Sequence, residues 1–136
     1  MKLNTKRLIL RPLRESDARD IVSSINDLDV SKWLLVVPYP YTLKDAREWI
    51  KGNQGKWRKR KKEDYSFGIE LKERGILIGG IGIHKVDTFQ GNANIGYWIG
   101  RRYWRNGYGS EALESLIDFA FNKLKLNRLE AGVFAG

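Results

Sequence analysis

The stretch Trp104-Arg105-Asn106-Gly107-Tyr108-Gly109-Ser110 separates a strand-like segment from a strongly amphipathic helical one, with Arg101 and Arg102 just before it. That pattern suits the binding of a phosphorylated ligand. The first backbone N–H groups of a helix lack intrahelical acceptors, and the helix dipole adds partial positive charge there. Glycines at 107 and 109 let the main chain approach a pyrophosphate without an intervening Cβ. Arg101, Arg102 and Arg105 add side-chain charge. The same Gly-x-Gly spacing also serves a tight strand-to-helix turn that binds nothing. Two other phosphate loops are excluded. No Gly-Lys-Ser/Thr follows, and Ala112 stands where a dinucleotide fingerprint needs its third glycine.

The elements that must carry this turn follow from hydrophobic period. A strand is expected over Lys6–Leu13, with Leu8, Leu10 and Pro12 on one face. Ser16 is placed to cap a helix from Asp17, whose apolar stripe is Ala18, Ile21, Val22 and Ile25. Trp33–Tyr41, rich in aromatics and proline, suits a packed loop. Thr42-Leu43-Lys44-Asp45 opens a second helix carrying Ala46, Trp49 and Ile50 inward, and Gly52 and Gly55 oppose its continuation. Tyr65–Leu71 and Ile76–Lys85 form a hairpin about Lys72–Gly75. The loop Asp87–Asn92 precedes a strand over Ala93–Ile99. After the turn, Ala112, Leu113, Leu116, Ile117, Ala120, Phe121 and Leu124 recur at helical spacing, and Arg128–Phe134 is a last strand. This order gives an α+β (mixed α/β) sheet with helices packed on it.

Bulk properties bound the function. The 136 residues fit one domain, 1–136, and 30% charged residues with 42% hydrophobic ones suit a soluble packed fold. No apolar run approaches a membrane span, and the N-terminus lacks a secretory pattern, so a cytoplasmic location is expected. Cysteine is absent and His84 is the sole histidine, so thiolate and multi-histidine metal sites are excluded and no metal is expected. A net charge of +9 favours an anionic partner. The run Lys56–Lys62, with Trp57 inside it, is a candidate for tracking phosphates and stacking bases. It reads also as a solvated helix end or loop, and that reading is preferred to nucleic-acid binding.

The glycine turn resembles the acetyl-CoA motif of the GNAT superfamily, with Trp104 in the place usually held by Gln or Arg. That replacement is similar to the ribosomal-protein-alanine N-acetyltransferase branch. Thr5–Leu13, Ser16-Asp17-Ala18, Ile76–Gly82 and Ala120–Ala131 resemble the same branch, so the likeness spans the chain. It implies a twisted, mostly antiparallel central sheet with helices on both faces. It also implies acetyl-CoA as cosubstrate and direct attack of a neutral amine, a protein N-terminus or a small molecule, on the thioester. The backbone of Trp98 and Ile99 would then pair with the pantetheine arm. The amides from Arg105 to Ser110 (Asn106, Gly107, Tyr108 and Gly109 between them) would hold the pyrophosphate, with Trp104 at the head of the motif. The N–H near Tyr97 would donate to the thioester oxygen.

Two departures from the family pattern shape the expectations. Where the family commonly has Ala-Glu-Ile-Gly-Tyr, with the glutamate as base, this chain has Ala93-Asn94-Ile95-Gly96-Tyr97. An amide cannot take a proton, although Asn94 can orient a water or the amine. His84 is the best substitute, since imidazole is the side chain that ordinarily exchanges a proton near neutrality, and it also reads as an ordinary surface or packed strand-end residue. Tyr97 is a candidate to present its hydroxyl to the substrate. Glu70 and Asp87 read as solvated carboxylates, and Trp33, Tyr39 and Tyr41 as an acceptor-site wall or as loop packing. The resemblance also implies a closing helix and two strands beyond Gly136, so a C-terminally incomplete domain is expected. An edge so exposed would invite a homodimer. The alternatives to an active transferase are an acetyl-CoA-binding module with little turnover and a basic nucleic-acid- or ribosome-binding protein.

Overall fold

The computed structural model describes residues 1–25, 42–59 and 62–131. Within them, six strands form one sheet in sequence order: β1 (Leu3–Asn4), β2 (Leu8–Arg11), β3 (Tyr65–Leu71), β4 (Ile76–Asp87), β5 (Asn92–Ile99) and β6 (Arg128–Ala131). Neighbours are antiparallel except β5 and β6, which run parallel. The helices are α1 (Ala18–Ile25), α2 (Leu43–Arg58) and α3 (Tyr108–Asn122). Short 3-10 turns, Glu15–Asp17 and Arg101–Tyr103, precede α1 and α3. The expected mixed architecture is therefore present.

Two cores lie on opposite faces of the sheet. Leu8, Leu10, Phe67, Ile69, Ile83 and Ile99 pack with Ala112, Leu116, Phe119 and Ala120 of α3. On the other face Leu77 and Trp98 pack with Leu13, Ile21 and Ile25 near α1 and with Ala46 and Ile50 of α2. A bulge joins the two patterns. Ile69 pairs with Gly79 and Glu70 with Leu77, so the register skips Ile78. Ile78 therefore shares a core with Ile81 despite an odd spacing of three, while Leu77 faces the other core.

Several element ends differ from those expected. The first strand is shorter: Arg11, paired with Gly68, is its last ladder residue, and its side chain enters a buried ion network. The residue is 3% exposed, and its guanidinium donates to both oxygens of Asp17 at 2.8 and 2.9 Å and to Glu70 at 2.8 Å. These hydrogen bonds, that to Asp17 foremost, hold its pKa above the ordinary value despite burial. Asp17, not Ser16, organises the start of α1, accepting from the Arg14 amide at 2.8 Å. Glu70 is no solvated carboxylate: it is buried and also accepts from Arg14 at 3.1 Å. Asp87 is spent on its own turn, accepting from the amides of Phe89 and Gln90.

The second helix starts as expected, with a reciprocal capping box between Thr42 and Asp45. It then continues through Gly52 and Gly55, which face open space. Asn53 holds this stretch to the sheet, accepting from the Leu13 amide and donating to the Ser66 carbonyl, both at 2.9 Å. In α3 the inward aromatic is Phe119, not Phe121, which is 40% exposed. It lies seven residues after Ala112, on the same face as Leu116 and Ala120. Of the last expected strand, Arg128–Ala131 is described, and residues 132–136 fall outside the described part.

Candidate active site

The helix α3 begins directly at Gly107, which has φ +79°, a left-handed conformation that favours glycine. The first intrahelical donor is the Glu111 amide, bonded to the Gly107 carbonyl at 3.0 Å. The amides of Tyr108, Gly109 and Ser110 therefore have no acceptor among the described residues. The carbonyls of the turn, by contrast, are drawn away. The Asn106 side-chain amide donates to the carbonyls of Tyr103 and Trp104, each at 3.1 Å. Arg7 donates to the Asn106 carbonyl at 2.9 Å. A cradle with occupied acceptors and open donors is suited to an anion. Arg105 also sits in the left-handed region, at φ +63°, with its side chain exposed.

Arg7 was not singled out in the sequence as a site residue. Its Nε donates to Glu111 at 2.7 Å and its backbone amide to the same carboxylate at 2.8 Å. The guanidinium also lies over the Tyr108 ring, 4.5 Å from the centroid. Thr5 adds a hydroxyl donor to Glu111. Burial pushes the Glu111 carboxyl up, but the bonds from Thr5 and Arg7 outweigh it and leave the pKa below its ordinary value. A separation of 104 residues conceals this clamp from any local pattern. Arg101 and Arg102, expected beside the phosphate cradle, line a separate polar hollow of about 540 Å³ with Ser23, Ser24 and Arg74, and none of residues 105–110 lines it.

Trp104 closes the turn against the strand, its indole N–H donating to the Ile99 carbonyl at 2.7 Å. The β5–β6 pairing runs only from Asn92↔Arg128 to Ile95↔Ala131. Gly96 to Ile99 are paired on the β4 side, and the β6 register ends before them, at Ile95. Trp98 and Ile99 thus lie between the end of that pairing and the cradle. The Tyr97 side chain points to the α3 face, its ring against Gly109.

On the α1–α2 face, glycines open a groove of about 270 Å³. Gly80, Gly82 and Gly96 form its floor, and Trp49 and Trp98, with ring centroids 6.1 Å apart, stand beside it. His84 lines this groove and is the register partner of Asn94, which does not line it. The Cε1–Nε2 edge of His84 leans over Gly82, so that a Cβ there would lie 2.9 Å from both atoms. Nδ1 faces Asp64 Oδ1 at 3.1 Å, and Lys56 Nζ lies 3.5 Å from Oδ2. Burial raises the Asp64 pKa, but Lys56 and His84 outweigh it and hold it below the ordinary value. His84 and Asn94 are thus register partners, His84 and Tyr97 both line the groove, and the Tyr97 ring packs on the α3 face against Gly109. Trp33, Tyr39 and Tyr41 lie outside the described residues.

Trp57 is not a platform for bases. It donates to the Ser66 carbonyl at 2.8 Å and packs edge-on against Phe67 and Tyr65, with centroids 5.0 and 5.9 Å away. Among the described residues no helix is long and apolar enough to cross a membrane, and no cluster of three metal-ligating side chains occurs.

Residues 7–136 match the model of the acetyltransferase (GNAT) domain. An uncharacterized N-acetyltransferase, p20, of Bacillus licheniformis is 35% identical over 136 residues, covering 96% of this chain and 72% of the relative. YoaA of Bacillus subtilis, also an uncharacterized N-acetyltransferase, is 31% identical, covering 97% of this chain and 73% of its own. Among solved structures, the "putative ribosomal-protein-serine acetyltransferase" of Vibrio cholerae superposes with TM-score 0.85 at 34% identity, over 96% of this chain and 72% of that one. A RimL ribosomal L7/L12 acetyltransferase in complex with coenzyme A shares the fold, with TM-score 0.75 at 17% identity, over 95% of this chain and 72% of that one. With a family match over residues 7–136 and this sheet, turn and helix in place, the chain belongs to the GNAT family of acetyltransferases.

Proposed function

We propose that this chain transfers an acetyl group from acetyl-CoA to a primary amine, with the α3 N-terminus holding the coenzyme pyrophosphate and the glycine-floored groove receiving the amine. The observation that carries this reading is the cradle, where the Tyr108, Gly109 and Ser110 amides stand open while the neighbouring carbonyls are bonded elsewhere. Its donor set fits a pyrophosphate. The stretch of β5 at Trp98 and Ile99, beyond the end of the β6 pairing, fits an extended amide-bearing arm. Bound acetyl-CoA supplies a thioester whose carbon–sulfur bond breaks as the new carbon–nitrogen bond forms.

The chain's own residues then have two tasks. The backbone near Tyr97 donates to the thioester oxygen as its negative charge grows. His84 Nε2 takes the proton that the amine must lose, a step worth on the order of 10² to 10⁴ in rate. The likeness to a ribosomal-protein-serine acetyltransferase supports a protein amine as the acceptor. A second reading, coenzyme binding with little turnover, draws support from Asn94 in the place of the family's glutamate.

The test is calorimetric titration of acetyl-CoA into wild type and Ser110→Glu. Glutamate is favoured in the first turn of a helix, so this variant folds while setting a carboxylate at the phosphate position. Saturable binding by wild type and at least ~10-fold weaker binding by the variant are expected. Equal affinities would remove the cradle from the assignment. Turnover with N-terminal serine and alanine peptides separates the transferase from the binding module.

A further inference from the structure

We propose that Asp64 is the positioning residue for His84, and that this Asp64–His84 pair on the groove replaces the glutamate missing at Asn94. The inference rests on the reading that His84 accepts the amine proton. His84 and Asn94 are directly paired across β4 and β5, so a base at either position addresses the same stretch of sheet. Asn94 has no protonatable oxygen, and His84 does the accepting only if the correct ring nitrogen carries the lone pair.

Asp64 decides that. Its Oδ1 lies 3.1 Å from Nδ1, so the imidazole donates N–H there and keeps the lone pair on Nε2. Nε2 belongs to the ring edge that lies over Gly82 in the groove. When Nε2 takes the amine proton, the ring becomes cationic and the carboxylate stabilises it without itself taking the proton. Lys56, reaching Oδ2 at 3.5 Å from α2, occupies the other oxygen and favours the ionised carboxylate. Other charged groups near this place are Lys59, Lys62 and Glu63, which line a hollow with Lys56 and Asp64, Lys85 beside His84, and Glu130 on β6, the register partner of Asn94. Glu130 is engaged with Arg128. Gly82 completes the arrangement, because any side chain there would displace the ring.

His84 is the only histidine in the sequence, so its ring signals are unambiguous by NMR. The experiment records imidazole ¹⁵N shifts in wild type and Asp64→Asn. It also measures kcat/KM with acetyl-CoA and a peptide bearing a free N-terminal serine for wild type, Asp64→Asn, His84→Gln and the double variant. Wild type should show the Nδ1–H tautomer, and Asp64→Asn should shift it toward Nε2–H. The single variants should each lose at least ~10-fold in kcat/KM, and the double variant should lose no more than His84→Gln. An Nε2–H tautomer in wild type would overturn the pairing whether or not the chain turns over. So would a wild-type rate in Asp64→Asn when His84→Gln is inactive. Full activity in His84→Gln would instead sink the assignment of His84 as base, and with it the use of the pair.

Discussion

The Tyr97 ring rests on Gly109, so closely that a Cβ built there would lie 2.7 Å from Cε2 and 3.0 Å from the hydroxyl oxygen. This contact seats the N-terminus of α3 on β5 and fixes how far the cradle stands from the strand edge. Gly109→Ala should therefore cost about 1–3 kcal/mol of stability and weaken acetyl-CoA binding, because either the ring or the helix must shift. Tyr97→Phe retains the ring and should bind the coenzyme as wild type does. Denaturant unfolding and calorimetry test the pair. A large loss of kcat in Tyr97→Phe, with binding intact, would give the hydroxyl the substrate-facing role considered for it from the sequence.

Arg7 and Thr5 lock the first turn of α3 through Glu111, and this lock should be pH-dependent. The folded pKa of Glu111 is depressed below its ordinary value of 4.5. Its stabilisation is thus fully present above that value and is lost as the pH falls through the folded pKa. Glu111→Gln should lower stability at neutral pH by about 2 kcal/mol, the scale of hydrogen bonds to a charged group. The gap between wild type and variant should close in acid. A gap unchanged between pH 7 and pH 3 would show that the carboxylate charge contributes nothing.

The strands, helices and glycine turn were legible because local period and turn chemistry govern them: the alternation of Leu8 and Leu10, the Thr42–Asp45 box, and Gly107 at a left-handed position. The ion networks were not. Arg11 with Glu70 spans 59 residues, and Arg7 with Glu111 spans 104. A carboxylate on a strand looks the same in sequence whether it faces water or a buried guanidinium. Gly109 was read as room for a pyrophosphate, yet its close neighbour is a tyrosine from the preceding strand. Asp64, beside the basic run, carried no local sign that it would meet His84.

The Arg11 network predicts the largest single loss of stability. Removing Asp17 by Asp17→Ala leaves a buried guanidinium with only Glu70 and the Pro12 carbonyl as partners. Breaking a buried pair in this way costs about 3–5 kcal/mol. Denaturant unfolding should show a shifted midpoint with an unchanged slope. A loss below about 1 kcal/mol would mean that Arg11 finds water on relaxation.

The groove floor separates glycines that are required from one that only leaves room. A Cβ at Gly80 would meet the Trp98 indole at 2.6 Å, and one at Gly82 would meet His84 at 2.9 Å, whereas one at Gly96 would meet nothing within 4 Å. Gly96 faces Gly82 across the ladder. Gly96→Val should therefore fold with little penalty, valine being favoured in strands. Its methyl groups should enter the space assigned to the amine acceptor and raise the acceptor KM by about 10-fold or more while leaving acetyl-CoA affinity unchanged. The comparison is steady-state kinetics against calorimetry on one preparation. A weakened coenzyme with an unaltered acceptor KM would place the thioester arm, not the amine, over Gly96 and exchange the two halves of the proposed site.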